Sequence, residues 1–195
     1  MERYLLLSPW TMTTSYQDRD SAIRDLRRPS ADEPDWSRER CVSWWDPSRR
    51  LLRALRDYAR AQQRAGLLGS VLMKLAVLRH RFWSVVTGAD IPLNAGDIGG
   101  GLLLPHPNGV VIHPDAHIGP NCLFFQQVTI GTGSTPGTPR IGGHVDVGAG
   151  AKILGGILIG DHAVIGANAV VVTDVPAWCV AVGVPAVVRH RDLDV

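Results

Sequence analysis

Ile112-His113-Pro114-Asp115-Ala116-His117-Ile118-Gly119-Pro120-Asn121-Cys122-Leu123-Phe124 opens a run in which a large apolar residue returns at every sixth position. Ile112, Ile118, Phe124 and Ile130 keep the interval, and after one break Ile141, Val147, Ile153, Ile159, Ile165 and Val171 keep it again. Four positions after each of these, leaving out the interrupted Ile130 turn, stand Ala116, Cys122, Val128, Val145, Ala151, Ile157, Ala163, Ala169 and Val175, all small or apolar. An amphipathic helix repeats its apolar residues at three, four and seven, and a half-buried strand at two. Neither describes a period of six. A short repeat cannot bury its apolar side alone, whereas stacked coils share a continuous core, so Ile112 to Pro176 is predicted to form a parallel β-helix. With three units per coil, Ile112, Ile130 and then Val147 or Ile153 stack about 4.8 Å apart along one edge. The pattern itself does not fix the hand of the coil.

The chain has 195 residues, enough for one substantial core and a smaller appendage. Lysine and arginine number 20 against 18 acidic residues, so no global field calls for nucleic acid or an acidic polymer. Cys41, Cys122 and Cys179 are few and lack metal-ligand spacing, and Cys122 falls on an inward repeat position. These features suit a reducing cytoplasm. Leu5, Leu6 and Leu7 are too short an apolar run for a secretory signal, and no stretch is long enough to span a membrane.

Four regions are expected: a polar, flexible N-terminal arm over 1–45, a helical region over 46–88, the β-helix over 89–189 and a short tail over 190–195. Asp46-Pro47 reads as an N-cap followed by a first-turn proline, with Leu51, Leu52, Leu55, Tyr58 and Ala59 at helical spacing up to Gly66. Opposite them Arg49, Arg53, Arg56, Arg60 and Arg64 form a basic stripe that reads first as a solvated face and second as a surface for an anionic partner or membrane. A second helix is predicted from Leu67 to Val86, with Leu68, Leu72, Leu75, Leu78 and Phe82 as its packing face.

Function in a repeat array concentrates where the rhythm fails, because insertions project from a regular wall as loops. The rhythm fails twice. Leu104 to Ile112 takes eight residues and holds Pro105, His106, Pro107, Asn108 and Gly109, and Ile130 to Ile141 takes eleven. An unperturbed imidazole titrates near about 6.5 and accepts a proton at either nitrogen, so the histidine on the first break is the candidate general base. His113, His117, His144 and His162 sit within regular repeats and read as surface or rung residues.

Five segments in order resemble the hexapeptide-repeat acyltransferases and, within them, the serine O-acetyltransferases. They are Leu104-Pro105-His106-Pro107-Asn108-Gly109, Val128 to Gly133, Gly148 to Gly155, Ile165 to Val171, and Gly183-Val184-Pro185-Ala186. The resemblance covers roughly Ala89 to Arg189. It implies a mainly β fold with a left-handed β-helix, a homotrimer or a hexamer made of two trimers, and acetyl-CoA held between subunits as acyl donor, with no metal. His106 inherits the catalytic role, and Asp90, in an Asp-Ile pair, inherits that of orienting it, with Asp97 as the competing carboxylate. The implied cofactor-binding residues are Thr129, Gly131, Gly148, Ala149, Gly150, Lys152, Gly166, Ala167 and Arg189. Asn108, Thr138 and Arg140 are the implied acceptor-binding residues.

Departures from the family concern the acceptor. Pro105 stands where the family places a carboxylate, and Thr138-Pro139-Arg140 where it places an Arg-His pair. The two acceptors that remain open are the hydroxyl of L-serine or a serine-like molecule, as in cysteine biosynthesis, and a sugar hydroxyl in surface-polysaccharide biosynthesis. Asp192-Leu193-Asp194-Val195 differs from the isoleucine-ending tail with which the family binds cysteine synthase, so that complex is not expected. A zinc-dependent γ-type carbonic anhydrase needs three histidines meeting across a trimer interface, and only His113 and His117 form a close pair. That reading also leaves the coenzyme-type segments unexplained, and a non-catalytic β-helix scaffold is the remaining alternative, favoured if replacing His106 alters nothing or if no acetyl-CoA binds.

Overall fold

The computed structural model describes residues 29–95 and 97–190, and the period of six appears there as three parallel sheets. The strands are β1 (Val111–Ile112), β2 (His117–Ile118), β3 (Leu123–Phe124), β4 (Thr129–Gly131), β5 (Arg140–Ile141), β6 (Asp146–Val147), β7 (Lys152–Leu154), β8 (Leu158–Ile159), β9 (Val164–Ile165) and β10 (Val170–Val171). Successive strands fall on successive sheets, in the orders β1-β4-β7-β10, β2-β5-β8 and β3-β6-β9, so the chain turns through three sides per coil. All ten large repeat residues and all nine of their small companions are buried. Ile130 is in register with Ile112 and with Ile153, which continues to Val171. Ile153, rather than Val147, therefore continues the first edge. The inserted loop lengthens one coil without disturbing its neighbours, and Val147 stacks on Phe124 instead.

An irregular coil precedes β1, held by single bridges of Asp90 to Val111, Ile98 to Ile118 and Leu103 to Leu123. At the other end β11 (Cys179–Gly183) extends the third sheet and folds back through Val184 and Pro185 as antiparallel β12 (Ala186–His190). That hairpin supplies a different edge from the short parallel rungs. Cys122 occupies its inward position as a thiol, its pKa pushed up to about 12 by burial, and donates to Gly142 O at 3.2 Å.

Two helices pack against the early coils. Helix α1 (Pro47–Gln62) starts as the sequence predicts, with Asp46 accepting from Arg49 N and Leu51, Leu52 and Leu55 buried. Helix α2 (Gly66–Thr87) ends at Gly88, whose left-handed conformation closes the cap onto Ser84 O. The face it buries differs from the predicted one. Gly69, Ala76, His80, Trp83 and Thr87 turn inward, whereas Leu68, Leu75, Leu78 and Phe82 are exposed. Small residues permit the close approach of α1, and the bulky stripe is left outside.

Residues 30–40, expected within a loose arm, are seated on the coil. Buried Asn121 accepts from Asp35 N at 2.8 Å and donates to Ser30 O and Glu33 O at 2.7 and 2.8 Å, and its carbonyl accepts from Arg38. Arg56, one of the basic stripe, is likewise structural. It pairs bidentately with Glu39 and donates to Ile98 O and Gly99 O, while Glu39 accepts from Gly101 N. Polar side chains satisfy here what a sparse apolar segment cannot bury. The Leu5 to Leu7 run, the arm up to 28 and the tail beyond His190 lie outside the described residues.

His80 fixes α2 to the first coil through Nε2–H donating to Ile91 O at 2.8 Å. Burial holds its pKa below the ordinary 6.5, outweighing the opposite pull of that hydrogen bond and of nearby Asp90. The unfolded chain therefore takes up this proton more readily than the folded one. Stability from His80 is complete above about pH 6.5 and drains as the pH falls below it. In urea titrations His80→Gln is expected to flatten the loss of stability between neutral and mildly acidic pH; an unchanged slope contradicts this assignment.

Candidate active site

The eight-residue break projects His106 from the wall between two prolines, which restrict the backbone on either side of it. Leu104 anchors the start of the loop in the core, and Val110, also buried, anchors its end. Gly109 N donates to Gly88 O at 2.9 Å, and Val110 N to Pro107 O at 3.1 Å, so the loop is tied to the end of α2. His106 and Asn108 consequently line one cavity of about 670 Å³, with Leu103 to Pro107 on one wall. Val86 and Thr87 come from the end of α2. Trp45, Asp46, Pro47, Ser48 and Arg49 come from the start of α1.

The part of the lining that comes from α1 was missed by reading the repeats, because sequence separation hides it. Its polar pair is Arg49 and Asp46, joined by Nη1 donating to Oδ2 at 3.1 Å, with the Asp46 side chain more buried than that of Arg49. Nε of Arg49 donates to Arg38 O at 2.9 Å, which holds the guanidinium in place. The signal that could have found this part was the Asp46-Pro47 cap itself, since a helix N-terminus is where an anion is best tolerated.

The two carboxylates expected to orient the base have other partners within the chain. Asp97 is engaged by His117 Nδ1, and among the described residues no hydrogen bond joins it to His106. Asp90 lies at the first bridge and exerts its field on buried His80, and among the described residues no hydrogen bond joins it to His106. Thr138 and Arg140 do not line the His106 cavity. The Thr138 hydroxyl donates to Asp115 O at 2.8 Å, and Arg140 stands in register between His117 and Leu158. The other histidines have their own settings: His113 accepts from Asp115 N, and His144 meets His162, which stacks on Trp178.

The residues implied for cofactor binding follow one sheet and its corners. Thr129 and Lys152 are register partners on the outer face of β4 and β7, with Gly131 at the end of the same row. Lys152 Nζ donates to Gln127 O and Gly150 O at 3.3 and 3.2 Å. Gly148 and Gly166 have tight corners of their own: a Cβ on Gly148 would lie 2.6 Å from Ala167 N, and one on Gly166 would lie 2.7 Å from Val182 Cγ1. Gly150 carries φ of +73° and faces Asn168 in the next coil. Packing between coils therefore suffices to explain these three. At Gly131 a Cβ would meet nothing within 4 Å, so the surface there is open. Gln126 Oε1 is buried without a partner among the described residues, at the corner whose carbonyl accepts from Gly150 N. An open strip, an ammonium and an unmatched buried acceptor fit a polar, amide-bearing chain such as the arm of coenzyme A. Ala149 lies at the same corner and Arg189 is exposed on β12.

No family profile matches the chain. The serine acetyltransferase of Synechococcus elongatus is 41% identical over 133 residues, which make up 67% of this chain and 51% of that one. The chain thus spans about half the length of this curated relative. Among solved structures, a serine acetyltransferase in complex with CoA superimposes with a TM-score of 0.62 at 31% identity, over 75% of this chain and 58% of that one. Soybean serine acetyltransferase complexed with serine gives 0.61 at 36% identity, over 73% of this chain and 57% of that one. The soybean apoenzyme gives 0.54 at 34% identity, and there the match covers 74% of this chain and 70% of its counterpart. The repeat register, the histidine loop and these similarities agree: the chain belongs to the serine acetyltransferase family.

Proposed function

We propose that the protein transfers the acetyl group of acetyl-CoA to the hydroxyl of L-serine by general-base catalysis at His106. The observation that carries this reading is the shared cavity, whose lining includes the His106 imidazole together with a fixed cation and anion, Arg49 and Asp46. An amino acid bears a carboxylate and an ammonium beside its hydroxyl, and such a pair matches both charges. A neutral sugar offers neither, so this lining favours serine over a sugar hydroxyl. Similarity to an enzyme solved with serine supports the same choice.

His106 would accept the proton of the serine hydroxyl as that oxygen attacks the thioester carbonyl, and would return it to the departing sulfur. Acetyl-CoA supplies the activated acyl carbon. Thr129, Lys152 and the open surface at Gly131 would hold the donor's arm. Gly148, Ala149, Gly150, Gly166 and Ala167 keep the neighbouring corners low, and Arg189 would meet a phosphate. Asp90 would orient His106 once serine and donor are bound, and Asn108, Thr138 and Arg140 would complete the acceptor side. Their separation within one chain is accommodated by a homotrimer of left-handed coils in which a neighbour closes the groove. Two trimers joined as a hexamer are the second assembly. Unpaired, buried Cys122 and Cys179 suit a cytoplasmic setting.

Arg49→Ala is expected to raise KM for L-serine roughly tenfold to a hundredfold, the worth of one charge-assisted hydrogen bond, with KM for acetyl-CoA unchanged. Steady-state CoA release with L-serine, homoserine and a monosaccharide panel tests the reading. Preference for a sugar, or an unchanged KM for serine in Arg49→Ala, would count against it.

A further inference from the structure

Helix α2 leaves a long apolar face uncovered. Leu68, Val71, Leu75, Leu78, Phe82 and Val85 follow one another at alternating steps of three and four, and all are exposed, from 45% at Val71 to 84% at Val85. At about 100° per residue they occupy an arc of roughly 100°, opposite the buried face of Gly69, Ala76, His80 and Trp83. Basic residues flank the arc: Lys74 and Arg81 on one side and, on the other, Arg79, whose Nη1 also donates to Asp57 Oδ2 at 2.8 Å. The exposed indole of Trp44 packs on Trp45, which packs on Trp83 beside Phe82, and so extends the patch at one end.

Charge decides what the face fits. Helix α2 carries three cations, Lys74, Arg79 and Arg81, while on α1 Arg49 is paired with Asp46 and Arg56 with Glu39. Helix α2 has no acidic residue. A second copy laid on this face would bring like charges together without the opposite charges that align paired helices. An anionic bilayer satisfies both features, with apolar side chains entering the acyl boundary, lysine and arginine at the phosphates, and tryptophan at headgroup level. No helix among the described residues is long and apolar enough to cross a membrane, so the contact is lateral. We propose that the outer face of α2, flanked by Lys74, Arg79 and Arg81, docks the protein on anionic phospholipid surfaces. This inference stands apart from the acetyl-transfer reading, because neither the six residues of the face nor Lys74, Arg79 and Arg81 line the His106 cavity.

The test is vesicle flotation of the full chain with phosphatidylcholine alone and with phosphatidylcholine containing phosphatidylglycerol, alongside the oligomeric mass in solution. The wild type is expected to float only with the anionic vesicles and to be released by molar salt. Leu75→Glu/Phe82→Glu should abolish flotation, and Lys74→Glu/Arg81→Glu should weaken it roughly tenfold or more, with CoA release in solution unaltered in both. Circular dichroism melts confirm that these exposed substitutions leave the fold intact. Flotation with neither vesicle, or equally with both, overturns the proposal. A smaller assembly in Leu75→Glu/Phe82→Glu without any vesicle binding assigns the face to a second copy instead.

Discussion

His106→Ala is expected to lower kcat for acetyl transfer to L-serine by roughly 10²- to 10⁴-fold, the range associated with removing a general base. KM for acetyl-CoA should stay close to the wild-type value, since the strip formed by Thr129, Gly131 and Lys152 lies on the sheet face and outside the cavity lining. The loop delivers the imidazole by rigid means. Pro105 and Pro107 restrict its backbone, Leu104 and Val110 are buried, and Gly109 is bonded to the cap of α2. Because His106 itself is exposed, its truncation leaves the core intact and stability should change by no more than about 0.5 kcal/mol. A stopped assay with a matched urea curve separates the two effects. Retention of wild-type kcat would remove His106 from the base role, whatever the protein acetylates.

Phe124→Ala should be the most destabilising single truncation, by about 3–5 kcal/mol. Phe124 is fully buried and is the largest such side chain in the described core. It sits on the first strand of its sheet, between the irregular coil and β6, its N–H donating to Leu103 O at 3.0 Å and its Cα in register with Val147. A hole there interrupts contacts to the coils on both sides, and a repeat array holds together chiefly through such neighbour contacts. Leu158→Ala is the control. Its side chain points outward on β8 and is 55% exposed, so a change within about 0.5 kcal/mol is expected. Denaturant midpoints measured at fixed protein concentration make the comparison, and equal losses at the two sites would contradict the assignment of the repeat interior.

The repeat region was legible because its burial rule is local and periodic. Every residue from Ile112 to Val171 assigned to the interior lies there, and only the stacking partner across the insertion, Ile153 rather than Val147, needed three dimensions. The helix ends were legible for the same reason, since Asp46-Pro47 and Gly88 cap through their immediate neighbours. Helix α2 misled because apolar periodicity shows that a face exists without saying which face meets the core. Packing chose glycine and alanine, and the leucine stripe was left outside. The seating of residues 30–40 was hidden because it relies on hydrogen bonds from Asn121 and Arg56, which leave no hydrophobic pattern. The site divides in the same way. The break in rhythm pointed to His106, but Asp46 and Arg49 lie about sixty residues earlier and join it only through the fold.

The most direct single measurement is mass spectrometry of the products formed from acetyl-CoA and L-serine by the protein. O-acetyl-L-serine accumulating in step with free CoA, and absent with His106→Ala, is the result expected of this site. A folded protein that binds acetyl-CoA but leaves L-serine unacetylated while it acetylates a sugar would contradict it.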